Sequence, residues 1–146
     1  MIDENLKRAI ILDHYQNPRN KGLVEDEHYH SAHMASDSCI DDIKVQVDIE
    51  DGVVKDARFD GVGCTIAVSS TSIITDLVKG KTVEEALAII DEYYNMLDEK
   101  PFSEDKIEEM IAFETLPNQA NRIKCGTIGV KGINSLLREY QNENGK

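Results

Sequence analysis

The fold is decided by residues 43–59, which read IKVQVDIEDGVVKDARF. Residues 43–50 alternate strictly between apolar and polar side chains, which is the period of a strand with one buried face. Asp51-Gly52 follows, a dipeptide suited to the tight type I′ turn of a hairpin. Residues 53–59 then return as a second strand. The stretch predicts an antiparallel hairpin, and the other elements are placed around it.

Upstream of the hairpin the sequence predicts one helix and one strand. Leu6, Ile10, Ile11 and Tyr15 recur at helical spacing, which indicates an amphipathic helix over residues 4–15. Asn17-Pro18 interrupts that pattern, because proline disfavours helix in the residue before it. Between residues 23 and 34 the pattern is weak, and we expect an irregular first strand there.

Downstream of the hairpin a run of helices is predicted. One follows Cys64 and stops near Gly80, and Thr82 with Glu85 forms a capping box that opens the next. A further helix is expected over residues 103–113, and a last one opens at Cys125. This order predicts an α+β fold, a small antiparallel sheet packed against several helices. We expect a single domain over residues 1–140 and a polar tail over residues 141–146.

Charge excludes two classes of partner. The 146 residues include 28 acidic and 16 basic side chains, for a formal net charge of −12. Repulsion from phosphates argues against nucleic acids and against anionic membrane surfaces. No stretch approaches the roughly 18 apolar residues that span a bilayer, and residues 1–5 lack the basic and apolar regions of a signal peptide. We therefore expect a cytoplasmic protein.

The three cysteines are too far apart, and odd in number, for a secreted disulfide framework. Cys39 and Asp41 are two residues apart, so in an extended chain their side chains face the same side. Cys64 and Cys125 each stand at a predicted helix start, where the helix dipole favours the thiolate that binds metals. Three sulfurs and one carboxylate are four ligands, the number that tetrahedral zinc or one edge of an iron–sulfur site requires.

Other interpretations stay open at this point. Cysteine is often buried as a small apolar residue, and no CxxC pair is present. His28, His30 and His33 could also bind a metal, although exposed histidines without a ligand are more common. Residues 69–72, SSTS, lack the glycine-rich loop and lysine of a phosphate site, and we expect those hydroxyls on a packed or partly exposed helix face. No Ser-His-Asp arrangement is evident from local signatures.

Five segments, in order, resemble the U-type iron–sulfur assembly scaffolds, IscU and SufU. They are Asp13-His14-Tyr15-Gln16-Asn17-Pro18-Arg19-Asn20-Lys21-Gly22, Cys39-x-Asp41, Phe59-x-Gly61-x-Gly63-Cys64, Val78-Lys79-Gly80-Lys81-Thr82 and Arg122-Ile123-Lys124-Cys125. The IscU type has a histidine immediately before the last cysteine, where this chain has Lys124. Residues 103–113 also look like the SufU-type insertion. The sequence is therefore more similar to SufU.

The resemblance implies a site and a set of partners. Cys39, Asp41, Cys64 and Cys125 would converge at one exposed edge and bind zinc or a nascent [2Fe–2S] cluster. A cysteine desulfurase would hand over persulfide sulfur, with Cys39 and Cys125 as candidate acceptors, and apo iron–sulfur proteins would receive the cluster. The family usually has glycine where this chain has Ile40, which costs little only if the segment is extended.

Three functions follow from these expectations. The first is a scaffold or carrier for cluster assembly. The second is a zinc-dependent sulfurtransferase that stimulates a cysteine desulfurase, and the third is a purely structural zinc domain. Chelation separates the third from the others, because a structural zinc domain unfolds without its metal.

Overall fold

The computed structural model describes residues 3–35 and 40–144. One antiparallel sheet has the strand order β1 (Tyr29–Ala35), β2 (Asp42–Glu50) and β3 (Val53–Val62). Asp51 and Gly52 join β2 to β3 with φ angles of 53° and 77°, and a type I′ turn requires positive φ at both positions. The predicted hairpin is confirmed.

Helices precede and follow the sheet. They are α1 (Glu4–Gln16), α2 (Thr65–Val78), α3 (Val83–Leu97), α4 (Glu104–Ile107) and α5 (Ile123–Asn144). The predicted capping box is present, since the Glu85 amide donates to the Thr82 hydroxyl and the Thr82 amide donates to the Glu85 carboxylate. The α+β class is confirmed. None of the helices in the described residues is long and apolar enough to cross a membrane.

The first strand begins later than the sequence predicted. β1 starts at Tyr29, and the residues before it run over the outer face of β2. There the side chain of Gln46 bonds both the amide and the carbonyl of Val24, each at 2.9 Å. These two bonds explain how a polar side chain on the outer face of β2 is buried.

α2 lies at the centre of the molecule and contacts α1, α5 and β3. The hydroxyls of residues 69–72 are fully buried on this helix. Each bonds within the protein; Ser69 Oγ, for example, donates to the Thr65 carbonyl at 2.6 Å, and Thr71 Oγ1 to the Ala67 carbonyl at 2.7 Å. The serines and threonines thus fill a tightly packed helix without leaving unsatisfied polar groups.

α1 buries only part of the face that its apolar residues suggested. Ile10 and Ile11 pack against the core. Leu6 and Tyr15, however, are 46% and 42% exposed, whereas Lys7 and His14 are buried. The helix was predicted correctly, and its buried face is more polar than expected. Buried polar side chains are stable only when they have partners, so α1 docks through hydrogen bonds and charge as well as through apolar contact.

The single helix expected over residues 103–113 is wrong. α4 ends at Ile107, and Glu108–Phe113 continues as a 3-10 helix. Glu108 has a φ of 45°, in the left-handed region, which interrupts an α-helix. Two short 3-10 turns, Leu116–Asn118 and Ala120–Arg122, follow before α5 begins.

The last helix extends beyond both predicted ends. It begins at Ile123, so Cys125 is its third residue rather than its first. It continues to Asn144, into the segment expected to be a polar tail.

Candidate metal centre

Asp41, Cys64 and Cys125 come together where β2, α2 and α5 begin. One carboxylate oxygen and the two Sγ atoms all lie within 4.8 Å of one another. Within the part of the chain that the structure describes, no other group of three histidine, cysteine or acidic side chains is this close. Asp41 and Cys125 are buried and Cys64 is half-buried. The three residues could hold a metal ion.

The fourth predicted ligand, Cys39, lies outside the described residues. The complete set of Cys39, Asp41, Cys64 and Cys125 therefore stays a prediction, as does the role of Cys39 or Cys125 in accepting sulfur. Ile40 is 72% exposed, whereas its neighbour Asp41 is 2% exposed. Neighbours in an extended segment point to opposite sides, and this contrast in exposure agrees with that geometry.

The turn between β3 and α2 places Cys64 beside Asp41. Cys64 is the N-cap residue of α2, and its amide donates to Asp41 Oδ1 at 2.9 Å. A Cβ on Gly63 would lie 3.2 Å from the same oxygen, so a larger residue would press on the carboxylate. Gly61 has a φ of 129°, and a Cβ there would lie 2.1 Å from the Asp42 carbonyl oxygen. Glycine is therefore required at position 61 for this approach of β2 and β3, and at position 63 it avoids a tight contact with the carboxylate.

The thiol of Cys125 behaves differently from the sequence expectation. Burial raises its pKa, and hydrogen bonds with Cys64 and Asp41 raise it further. In the metal-free protein these effects favour the thiol of Cys125 and oppose the thiolate that the sequence led us to expect. A bound cation reverses this balance, since a coordinated thiol is deprotonated. Cysteine sulfur and aspartate oxygen are both common zinc ligands, so two thiols and a carboxylate in this partly buried site suit a metal ion.

The first turns of α5 pack closely against other elements. A Cβ on Gly126 would lie 2.4 Å from the Leu116 side chain, and one on Gly129 would lie 2.1 Å from Thr71 Oγ1. Both distances are too short for real atoms. Glycine at these positions brings α5 against α2 and against the 3-10 turn that contains Leu116, which places Cys125 near Cys64.

The alternative metal site on His28, His30 and His33, which the sequence favoured less than exposed histidines without a ligand, is not formed in residues 3–35 and 40–144. The backbone amide of His28 bonds Asp26, and the His33 ring pairs with the exposed Asp42. None of the three histidines belongs to a described group with metal-ligand spacing.

A hydrogen-bond chain that the sequence did not predict joins α1, α2 and the 3-10 helix Glu108–Phe113, and it is buried at His14 and Ser72. His14 Nδ1 lies 2.8 Å from Ser72 Oγ, and His14 Nε2 lies 3.1 Å from Glu109 Oε1. The Arg19 amide donates to Ser72 Oγ at 2.8 Å, so the hydroxyl can donate to Nδ1 while Nε2–H donates to Glu109. The order of groups is that of a hydrolase triad, but Ser72 is 0% exposed in the middle of α2. This series of hydrogen bonds therefore has a structural role, joining α1 and α2 to the 3-10 helix. His14 and Arg19 belong to the first of the five family motifs, residues 13–22, and this role explains their presence there.

Other residues of the first motif, together with the third and fourth motifs, hold α2 against the sheet. The Asn20 carbonyl accepts the Phe59 amide at 3.0 Å, and the Gly22 amide donates to the Phe59 carbonyl at 2.7 Å. Lys79 Nζ donates to Asn20 Oδ1 at 2.9 Å, which links the first motif to the fourth. These contacts lie along β3 and α2, on both sides of Cys64, and so fix its place.

Comparison with known proteins adds sequence relatives to this geometry. The sequence matches the NifU-like N terminal domain over residues 6–146. The zinc-dependent sulfurtransferase SufU of Bacillus subtilis is 32% identical over 143 residues, 97% of this chain and 95% of that protein. The iron-sulfur cluster assembly scaffold protein IscU of Thermotoga maritima is 30% identical over 139 residues, 95% of this chain and 97% of that protein.

A solved structure supports the fold. The N-terminal part of a nitrogen-fixing NifU-like protein from Brucella abortus superposes with a TM-score of 0.83 at 22% identity, covering 96% of this chain and 99% of that one. The resemblance predicted from the five motifs is confirmed. The chain belongs to the NifU-like N-terminal domain family, the family of IscU and SufU.

Proposed function

We propose that this protein is an iron–sulfur cluster assembly scaffold or carrier that accepts sulfur from a cysteine desulfurase. The observation that carries the proposal is the convergence of Asp41, Cys64 and Cys125 within 4.8 Å. The names of its relatives support it, since one is an assembly scaffold and another a zinc-dependent sulfurtransferase. Cys39 supplies the fourth ligand in this proposal, and the site carries zinc or a nascent [2Fe–2S] cluster.

The donor set suits temporary binding. Thiolates are soft donors that favour zinc and iron–sulfur clusters, whereas a carboxylate oxygen is harder. Asp41 Oδ1 also accepts the hydrogen bond from the Cys64 amide, which orients the carboxylate and leaves it further lone pairs for a metal. A site with one such ligand releases its cargo more easily than a site of four thiolates. Easy release is useful in a carrier and harmful in a structural zinc site.

The second candidate is a zinc-dependent sulfurtransferase. The exposed Lys124 beside Cys125, where the IscU type has histidine, favours it, as does the additional segment between α3 and α5. Zinc would supply a positive charge that keeps the thiolates deprotonated and oriented at neutral pH. Cys39 or Cys125 would then take the sulfur atom from the persulfide of the desulfurase.

The proposed setting is the cytoplasm, with a cysteine desulfurase and apo iron–sulfur proteins as partners. The net charge of −12 supports a protein partner over a nucleic acid or an anionic membrane, because like charges repel.

Anaerobic reconstitution tests the scaffold. Zinc-free protein mixed with iron, sulfide and a reductant should develop the visible absorption of a [2Fe–2S] cluster, and the colour should move to an apo-acceptor. Cys64→Ser and Cys125→Ser should lose most of that colour, whereas His28→Ala should keep it. Wild-type protein that stays colourless would contradict the scaffold.

Desulfurase turnover tests the second candidate. Zinc-loaded protein should raise the turnover of its partner desulfurase, and Cys39→Ala, Cys64→Ala and Cys125→Ala should each abolish the increase. Stimulation without any transferable cluster would make the sulfurtransferase the correct function. Turnover that does not respond to the wild-type protein would rule it out.

A further inference from the structure

A buried tyrosine lies behind Cys125. Tyr93 on α3 is 0% exposed, and its hydroxyl donates to the carbonyl of Gly126, the residue after Cys125, at 2.7 Å. Its ring packs edge-on against Phe113 with a centroid distance of 6.4 Å. A phenylalanine ring would fill the same apolar space. The hydroxyl therefore serves the bond to α5 rather than the core.

A second hydroxyl bonds the same turn from α2. Ser70 is 0% exposed, and its Oγ lies 3.2 Å from the Ala67 carbonyl and 3.5 Å from the Cys125 carbonyl, which share its single proton. The Gly126 carbonyl thus has a full side-chain donor from another helix, and the Cys125 carbonyl has a weaker, shared one. The direction of the Cys125 side chain follows from the backbone of this turn and its allowed rotamers.

Little space is left for this turn to move. A Cβ on Gly126 would lie 3.2 Å from Tyr93 Oη and 2.4 Å from Leu116 Cδ2. Removing only the hydroxyl of Tyr93 opens space beside the Gly126 carbonyl and takes away its donor. The first turn of α5 could then shift while the apolar contacts of the rest of the helix remain.

We infer that Tyr93 is a positioning residue for the Cys125 ligand, with Ser70 as its weaker partner. By holding two carbonyls of the first turn of α5, their hydroxyls aim Sγ of Cys125 at Cys64 and Asp41. The inference rests on the proposed metal site. Tyr93 touches neither sulfur nor metal, so its loss changes the geometry and affinity of the site while the number of thiolate ligands stays the same.

Tyr93→Phe tests this role, because it keeps the ring and removes the hydroxyl. Tyr94→Phe is the matched control, since Tyr94 is the next residue on α3, is half-buried, and makes no hydrogen bond to the first turn of α5 among the described contacts. Zinc affinity is measured by competition with a chromophoric chelator, and Co²⁺ absorption reports the ligand geometry. Thermal unfolding of the metal-free variants reports the structural part of each change.

The wild type and Tyr94→Phe should give the same cobalt spectrum and zinc affinity. Tyr93→Phe should bind zinc about tenfold more weakly, the lower end of the effect of outer-shell partners on metal affinity. Its d–d bands should shift, while the thiolate-to-cobalt charge-transfer intensity stays the same. This pattern would support a positioning role.

An unchanged cobalt spectrum and affinity in Tyr93→Phe would overturn the inference, even if the variant were less stable. Failure of the wild type to bind either metal is a distinct result, which contradicts the proposed function. If Tyr93→Phe does not fold, Ser70→Ala decides. A smaller shift in the same direction would support the role, and no shift would overturn it.

Discussion

The phenol of Tyr29 on β1 donates a 2.6 Å hydrogen bond to Asp56 on β3, reaching across β2. This bond, followed by burial, raises the pKa of Tyr29 to about 12 from its usual 10.0. Because the folded pKa lies above the unfolded one, the contribution to stability is complete below pH 10.0 and is lost as the pH rises through about 12.

Tyr29→Phe should therefore lower the free energy of unfolding at neutral pH by about 1 kcal/mol. The variant should also lose less stability than the wild type when the pH is raised from 10.0 to about 12. Urea unfolding across this range measures both effects. Parallel curves for wild type and variant would show that the bond does not couple folding to the ionisation of Tyr29.

Single residues differ in how well the sequence predicts them. The donor types of the candidate site could be recognised, because cysteine and aspartate carry their chemistry with them and Cys39-x-Asp41 is a local pattern. The burial of Lys7 and His14 could not, because it depends on Glu114, Ser72 and Glu109, which are distant in sequence. The low exposure of a polar side chain is set by its partners and not by its own hydropathy.

At the level of elements, α5 can pack closely against α2 because Gly129 has no side chain. Alanine is the better helix former by about 1 kcal/mol. At this position, however, its Cβ would lie 2.1 Å from Thr71 Oγ1 and 2.7 Å from Thr71 Cβ. Overpacking costs about 1–3 kcal/mol, so the steric effect outweighs the propensity.

Gly129→Ala should accordingly lower the melting temperature, as followed by circular dichroism. Ser135→Ala, on the exposed side of the same helix, should leave it nearly unchanged. Adding Thr71→Ala to Gly129→Ala should restore part of the loss, because it removes two of the three clashing atoms. A stabilised Gly129→Ala would mean that helix propensity decides at this contact.

The elements that could be predicted are those with local causes. The hairpin follows from strict alternation and from Asp51-Gly52, and the start of α3 from its capping box. The acidic residues at the start of the segment 103–113 were taken to open one α-helix, but only α4 at its beginning is α-helical. The buried side chains Ile107, Met110 and Phe113, from the end of α4 to the end of the 3-10 helix, are each three residues apart, which is the period of a 3-10 helix.

At the level of the whole molecule, one large apolar core joins the sheet to the helices. The buried apolar residues of the sheet, α2, α3 and α5 form a single cluster, and a core of this size is expected to hold the fold together with the metal removed. A bound metal adds stability by mass action, about 2.7 kcal/mol at a free concentration of one hundred times Kd. For a chain of this size that corresponds to roughly 10 °C in Tm.

Chelation of zinc-loaded protein should therefore lower Tm by about this amount and leave the far-ultraviolet circular dichroism at 25 °C unchanged. Melting curves with and without chelator measure both, and a chelator titration of Cys64→Ser gives the control. Unfolding by the chelator alone would identify a structural zinc domain in place of a carrier.

The convergence of the site is a property of the whole chain, and spacing alone could not establish it. Asp41 and Cys64 flank the hairpin, but the approach of Cys125 depends on how α5 packs on α2 and the sheet. The expectation came from the family resemblance, and the structure supplies the physical cause in the close contacts of Gly126 and Gly129.

The proposed ligands lie in different parts of the chain, and they are therefore synthesised at different times. Translation yields Asp41 and Cys64 together with the hairpin and α2, while Cys125 comes only with the last helix. A growing polypeptide that stops short of α5 lacks that sulfur and the helix that covers β1 and β2. The proposed metal site is therefore incomplete on the ribosome until the C-terminal helix has been made and has docked.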